Sequence, residues 1–161
     1  MLFPHVDAAD YVELVTTTHG EDNRLNLVFQ TEGMDGQIYQ IRPPFLPKEI
    51  GQFHSLLSES SLSGTFTAQH DFLLLFNSRN RMVGGLYWKN MEDNRIHLEW
   101  VAIRGKYRNI SLSNRLMDDF YKRMKHRGVD IITVGFYVEK FFFRQGFEIN
   151  KQYGGLVKRL K

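Results

Sequence analysis

There is no cysteine in this chain of 161 residues, so neither a disulfide nor a thiolate metal site can belong to it. A reducing compartment suits such a sequence. The six histidines are scattered, with no HxxxH or HExxH spacing, and no metal site is expected. Long apolar runs are missing as well. The longest, Phe72 to Phe76, is far shorter than a membrane span. The first ten residues carry acids and lack a basic region followed by an apolar stretch, so they do not read as a signal peptide. A soluble, cytoplasmic protein without a membrane partner is the expectation.

What is present suffices for one domain. Apolar residues make up 42% and aromatic residues 14%, thirteen of them Phe, enough to bury a core without crosslinks. The formal charge is +3, with Lys and Arg clustered at 104–108, 122–127 and 158–161. A basic surface attracts phosphates, nucleic acid among them. Nucleic-acid binding would need stacking aromatics on an open basic face. The aromatics here sit at core-like spacings instead, which argues against it and leaves a basic rim around an anionic cofactor or a solvated face.

Two regions differ in texture. Residues 1–36 are acidic and interrupted by Gly20, Gly33 and Gly36, with short strand-like runs at 11–16 and 25–30. They read as an N-terminal extension or the tail of an upstream domain, ahead of a domain at 37–161. From Gln37 the pattern sharpens. Residues 37–42 alternate as a strand that Pro43 and Pro44 end. Pro47 opens a helix to about Ser58, with Ile50, Phe53, Leu56 and Leu57 on one face. Residues 65–69 are loop or short strand. Residues 72–77, 81–89 and 95–103 form an antiparallel meander. Leu112, Leu116, Phe120 and Met124 recur every four residues on a helix from 111 to 126, which Gly128 stops. A buried parallel strand at 130–134, a short helix at 139–145 and strands at 147–150 and 155–160 complete the chain.

Two local motifs stand out. The first is Val101, Ala102, Ile103, then Arg104-Gly105-Lys106-Tyr107-Arg108-Asn109-Ile110-Ser111-Leu112-Ser113, in which a strand ends, a basic loop follows and a helix opens. Unpaired amides at a helix start, the helix dipole and three basic residues together favour a phosphate. Ser111 by itself also suits an ordinary helix N-cap. The second motif is Phe141-Phe142-Phe143-Arg144-Gln145-Gly146-Phe147.

Element order and motifs together resemble the GNAT superfamily of acyl-CoA-dependent N-acyltransferases over residues 37–161. The first motif is similar to the family's R/Q-x-x-G-x-G/A cofactor segment, with Ser111 and Ser113 at the two small positions. The second is similar to L-Y-x-x-x-G-F, with Phe142 where the family often has Tyr. The resemblance implies the α/β class, an α+β mixed sheet of about seven strands with flanking helices, splayed between 95–103 and 130–134 around a CoA slot. It implies that Val101, Ala102, Ile103, Arg108, Asn109, Ile110, Ser111, Leu112 and Ser113 bind acetyl-CoA or another acyl-CoA. Ser in place of Gly resists a positive φ and makes the loop less snug.

For chemistry, the resemblance points to the strand before the loop, where His97 and Glu99 stand. Strict alternation puts His97, Glu99 and Val101 on one face and Leu98, Trp100 and Ala102 on the other. A His and a carboxylate at this spacing can share or orient a proton. The competing reading is a cross-strand pair with Arg81 or Lys89. Phe142 cannot donate a proton, so Tyr137 is the nearest replacement acid, with Tyr107 and Tyr153 as others. The function implied is transfer of an acetyl or other acyl group to a primary amine by direct attack in a ternary complex. The alternative is a catalytically inactive module of the same shape that binds CoA or an acyl carrier. The acceptor, a small molecule or a protein lysine, would meet Glu59, Ser60, Ser61, Ser63, His70, Tyr87, Trp88 and Tyr153. A homodimer is compatible with this reading.

Overall fold

The computed structural model describes residues 27–160. The expected strand at 11–16 lies outside them. One mixed sheet of eight strands runs through the molecule in the order β1-β2-β3-β4-β5-β6-β8-β7. The strands are β1 (Phe29–Glu32), β2 (Ile38–Arg42), β3 (His70–Phe76), β4 (Met82–Asn90), β5 (Arg95–Ile103), β6 (Ile131–Val134), β7 (Glu148–Asn150) and β8 (Gly155–Arg159). Seven match the expected count. The eighth, β1, pairs antiparallel with β2, so the sheet begins ahead of residue 37.

Three helices flank the sheet: α1 (Pro47–Glu59), α2 (Leu112–His126) and α3 (Glu139–Arg144). Helix α2 places Leu112, Leu116, Met117, Phe120 and Met124 on one face of the sheet, against Leu73, Leu75, Leu98, Ile132 and Leu156. Phe142 of α3 joins that core. Each such fully buried large side chain contributes about 1.5–3 kcal/mol. Helix α1 covers the opposite face with Ile50, Phe53, Leu56 and Leu57, against Phe66, Phe72, Leu74 and Tyr87. Gly85 permits that crossing, since a Cβ there would lie 2.9 Å from the Phe53 ring and 3.0 Å from the Leu73 carbonyl.

The start of α1 is pinned by a buried ion pair. Arg42 at the end of β2 donates through Nη1 and Nη2 to the two Glu49 oxygens, at 3.0 and 2.6 Å. Glu49 also accepts the Phe45 and Leu46 amides, and the guanidinium lies over the Phe45 and Phe76 rings. Burial pushes the Glu49 carboxyl up, but the hydrogen bonds from Arg42, Phe45 and Leu46 outweigh it and hold it below the usual value. A depressed pKa stabilises the fold above the unfolded carboxyl's pKa. That contribution is lost as pH falls through the folded value.

Arg42→Ala leaves this carboxylate buried and unpaired, and should cost about 3–5 kcal/mol in urea unfolding at neutral pH. The gap between variant and wild type should narrow as the pH is lowered and Glu49 takes up its proton.

Candidate active site and cofactor slot

Strand β5 pairs with β4 along nearly its whole length, from Asn90–Ile96 to Gly84–Ile103. With β6 it pairs only over Arg95–Leu98. From Glu99 onward the β6-side edge of β5 is open, because β6 ends at Val134. The splay leaves a cavity of about 500 Å³. Val101, Ala102 and Ile103 form one wall, and Arg108, Asn109, Leu112 and Ser113 form a second. Tyr137, Val138, Phe141, Phe142 and Arg144 close the third side, and Ser60 and Leu62 reach in from the loop after α1. Ile110 and Ser111 lie next to the lining residues in the chain without being among them.

The loop from β5 to α2 is bent by two left-handed residues, Asn109 (φ 66°) and Ser111 (φ 63°). Ser111 thus adopts the conformation that Gly would take without penalty. It occupies the N-cap position, yet its hydroxyl makes no capping bond. Its Oγ is buried with no partner. Arg108 Nε ties the loop to the Ile103 carbonyl at 2.9 Å, while its Nη atoms have no protein partner among the described residues. The Ile110 carbonyl accepts the Met34 amide from the β1–β2 turn at 3.1 Å. An orphaned buried hydroxyl, helix-start amides, the unengaged Nη groups of Arg108 and apolar walls suit a phosphate-bearing chain with an apolar arm.

The register of β4 and β5 shifts between Tyr87 and Trp88, where Trp88 faces Leu98, Tyr87 faces Trp100 and Glu99 is the extra residue. This bulge corrects the alternation expected from the sequence. Ile96 and Leu98 before it share the α2-side core with Val101 and Ile103 after it, whereas Trp100 and Ala102 face the α1 side. Val101 therefore does not share a face with His97. Trp88, expected near the acceptor, packs instead on Phe120 in the α2-side core.

At the bulge, Glu99 lies between two histidines. His70 Nε2 is 2.8 Å from Glu99 Oε2, and His97 Nε2 is 3.7 Å from Oε1. The Thr67 amide donates to His70 Nδ1 at 3.0 Å. A nitrogen that accepts carries no hydrogen, so in neutral His70 the proton sits on Nε2 and is donated to Glu99. His70 is buried, with a side chain 4% exposed, while Glu99 is 28% and His97 36% exposed. The sequence put His70 only in the acceptor region. Its link to Glu99 spans 29 positions, and no local pattern carries it. Neither Arg81 nor Lys89 forms a salt bridge with Glu99. His97 Nδ1 meets Thr133 Oγ1 at 2.8 Å. Burial lowers the His97 pKa. Glu99 opposes that, and Arg95, Lys89 and His70 push it further down, so the ring is neutral near pH 7.

Tyr137 lines the cavity and packs edge-on against Trp100 at 4.5 Å and Phe142 at 5.3 Å. Its hydroxyl is buried without a well-formed hydrogen bond, although the Val101 amide is directed at it. Burial first, then the charge of Glu99, raises its pKa, so the hydroxyl keeps its proton. Of the other tyrosines, Tyr107 lines the cavity and accepts from Asn77, while Tyr153 lies against Arg95. Among the described residues no group of His, Asp or Glu is arranged to hold a metal ion, and no helix is long and apolar enough to cross a membrane.

A family model described as the acetyltransferase (GNAT) domain matches residues 41–153. The chain belongs to the GNAT family. Solved structures agree on the fold of this GNAT domain. An acetyltransferase of the family from Staphylococcus aureus aligns with TM-score 0.62 at 15% identity, over 76% of this chain and 99% of that one. YhbS of Escherichia coli, in complex with CoA, aligns with TM-score 0.62 at 16% identity, over 75% and 81%. The PaiA N-acetyltransferase of Thermoplasma acidophilum, also with coenzyme A, aligns with TM-score 0.51 at 19% identity, over 70% and 71%. Among curated proteins no sequence matches.

Ser111→Gly removes the left-handed strain on a β-carbon-bearing residue and should stabilise the protein by about 1 kcal/mol, read as a higher Tm.

Proposed function

We propose that this GNAT domain is an active acyltransferase that moves an acyl group from acyl-CoA to a primary amine by direct attack in a ternary complex. The observation that carries the reading is Glu99, held at the bulge by the His70 N–H with its second oxygen left unbonded. A pseudo-inactive shape would not need a carboxylate oriented by a buried histidine whose tautomer is itself fixed by a backbone amide.

Acyl-CoA, when bound, supplies the thioester that the amine attacks. Arg108, Asn109 and the amides at Ser111–Ser113 would hold its phosphates, and Ser111 Oγ would gain the partner it lacks. Val101, Ala102 and Ile103 offer an open strand edge to the amide-bearing arm. The Val101 N–H, directed into the slot, would stabilise the negative charge that develops on the acyl oxygen as the amine bonds to the acyl carbon. Glu99 Oε1 is free to accept the amine's proton, and neutral His97 beside it can pass that proton on. Tyr137 keeps its hydroxyl proton and is the available donor to the departing sulfur. It packs against Phe142, so it supplies a hydroxyl near the position where the family's tyrosine would stand.

The decisive measurement is initial rate against pH, paired with calorimetric titration of CoA. Glu99→Gln should lower turnover by about 10²–10⁴-fold while CoA affinity stays at the wild-type value. Wild-type turnover in the variant removes Glu99 from the mechanism. CoA binding with no turnover on any acyl-CoA would instead favour a catalytically inactive CoA-binding module.

His70 is a positioning residue on this reading, acting only through Glu99. His70→Leu should cut kcat by about tenfold or more, the loss of one hydrogen bond to a charged group, with little change in CoA affinity. His70→Gln can place an N–H at similar reach and should recover most of the rate. Equal losses in both variants would mean that His70 merely fills space.

A further inference from the structure

The α1-side face of the sheet changes character below the bulge. Register places His70, Lys89, His97 and Thr133 in one row across β3, β4, β5 and β6. Two residues along, Arg95, Ile131 and Arg159 form the next row. The His97–Thr133 hydrogen bond shows that the rows face the same side as the candidate base. Lys89, Arg95 and His97 are half-buried and Arg159 is exposed.

None of these three cations has a carboxylate partner among the described residues. Arg95 is not free to wander, because its guanidinium lies 5.1 Å above the Tyr153 ring. Among the described strand residues, the carboxylates on this face are Glu99, which His70 engages, and exposed Glu148 at the far edge, opposite Val157. Lys89 and Arg95 lie close enough to His97 to disfavour its charged form.

Such a field is an odd approach for an amine. A primary amine arrives as an ammonium, and unpaired cations beside the base repel it unless the same molecule brings a negative charge. Strand spacing sets the scale. A cross-strand neighbour lies about 5 Å from His97 and a residue two along the strand about 6.6 Å. An anionic group a few bonds from the nitrogen would reach them.

We propose that the acceptor is a primary amine bearing a carboxylate or phosphate a few bonds from its nitrogen, with that anion held by Lys89 and Arg95 and attracted by Arg159 at the rim. This rests on the acyltransferase reading and names the acceptor class of the same site. Polyamines and lysines in basic peptides are the wrong sign for it.

The test compares kcat/KM at saturating acetyl-CoA for amino acids, phosphoethanolamine, an uncharged-tail monoamine, spermidine and a lysine peptide. The anion-bearing amines should lead by about tenfold or more, and the carboxylate and phosphate arms separate the two anions. Lys89→Ala and Arg95→Ala should raise KM for the preferred acceptor by about tenfold, with kcat and CoA affinity nearly unchanged. Arg95→Glu should shift preference toward spermidine. Spermidine or the lysine peptide as best wild-type acceptor overturns the proposal. So does an unchanged KM in both alanine variants, or a loss of CoA affinity that reassigns the cations to the cofactor. If nothing is turned over, calorimetry of the same amines on the CoA-loaded protein decides. Arg95-dependent binding of an anionic amine keeps the acceptor class while the acyltransferase reading fails, and no binding overturns both.

Discussion

Everything at this site depends on β5 having two unequal edges. On one side it is paired to β4 from Ile96 to Ile103, with only Glu99 bulged out, which makes it rigid. On the other it is paired to β6 for four residues and then stands open. A sheet normally satisfies both edges of an inner strand, because exposed amides and carbonyls invite another strand. Here the open edge faces a cavity that the helices on either side do not fill. The rigid edge keeps the slot in place, and the open edge supplies the backbone groups that a bound chain can use.

The bulge at Glu99 adds the second half of the geometry. One extra residue lets β5 present Leu98, Val101 and Ile103 to the same core although their spacing breaks alternation. It also takes Glu99 out of the regular pleat, where His70 from β3 and His97 from its own strand can flank it. A regular strand would have buried or exposed this carboxylate along with its neighbours. The irregular one leaves it part-covered, with one oxygen bonded and one available.

Much of the fold was readable in the sequence because its signals are local. The four-residue apolar period of α2, Pro47 at the start of α1 and the Pro43-Pro44 stop each act within a few residues, and each element appears where those signals put it. The strand β1 was shifted only slightly from the run at 25–30, but its place in the main sheet was not foreseen. Of the residues drawn from the resemblance, Val101, Ala102, Ile103, Arg108, Asn109, Leu112, Ser113 and Tyr137 gather around a single cavity, while Ile110, Ser111, His97 and Glu99 do not line it. What sequence reasoning missed is non-local. The bulge is a property of the β4–β5 pairing, so reading β5 alone gave the wrong face for Val101. Trp88 differs for a simpler reason: it alternates with Tyr87 along β4, so the two cannot both face the acceptor side. The His70–Glu99 contact joins two strands separated by a third, and Arg144 entered the slot through the packing of a six-residue helix.

The bond from Met34 to the Ile110 carbonyl has a consequence for where this domain starts in practice. The family match begins at residue 41, yet the turn between β1 and β2 reaches over and grips the loop that leads into α2. Tyr39 supports that grip from below, bonding Asp35 in the turn and meeting Tyr107 of the loop edge-on. The opening hairpin therefore works as a splint for the loop. A chain trimmed to the family boundary would keep every residue of the slot and lose the brace that sets its shape.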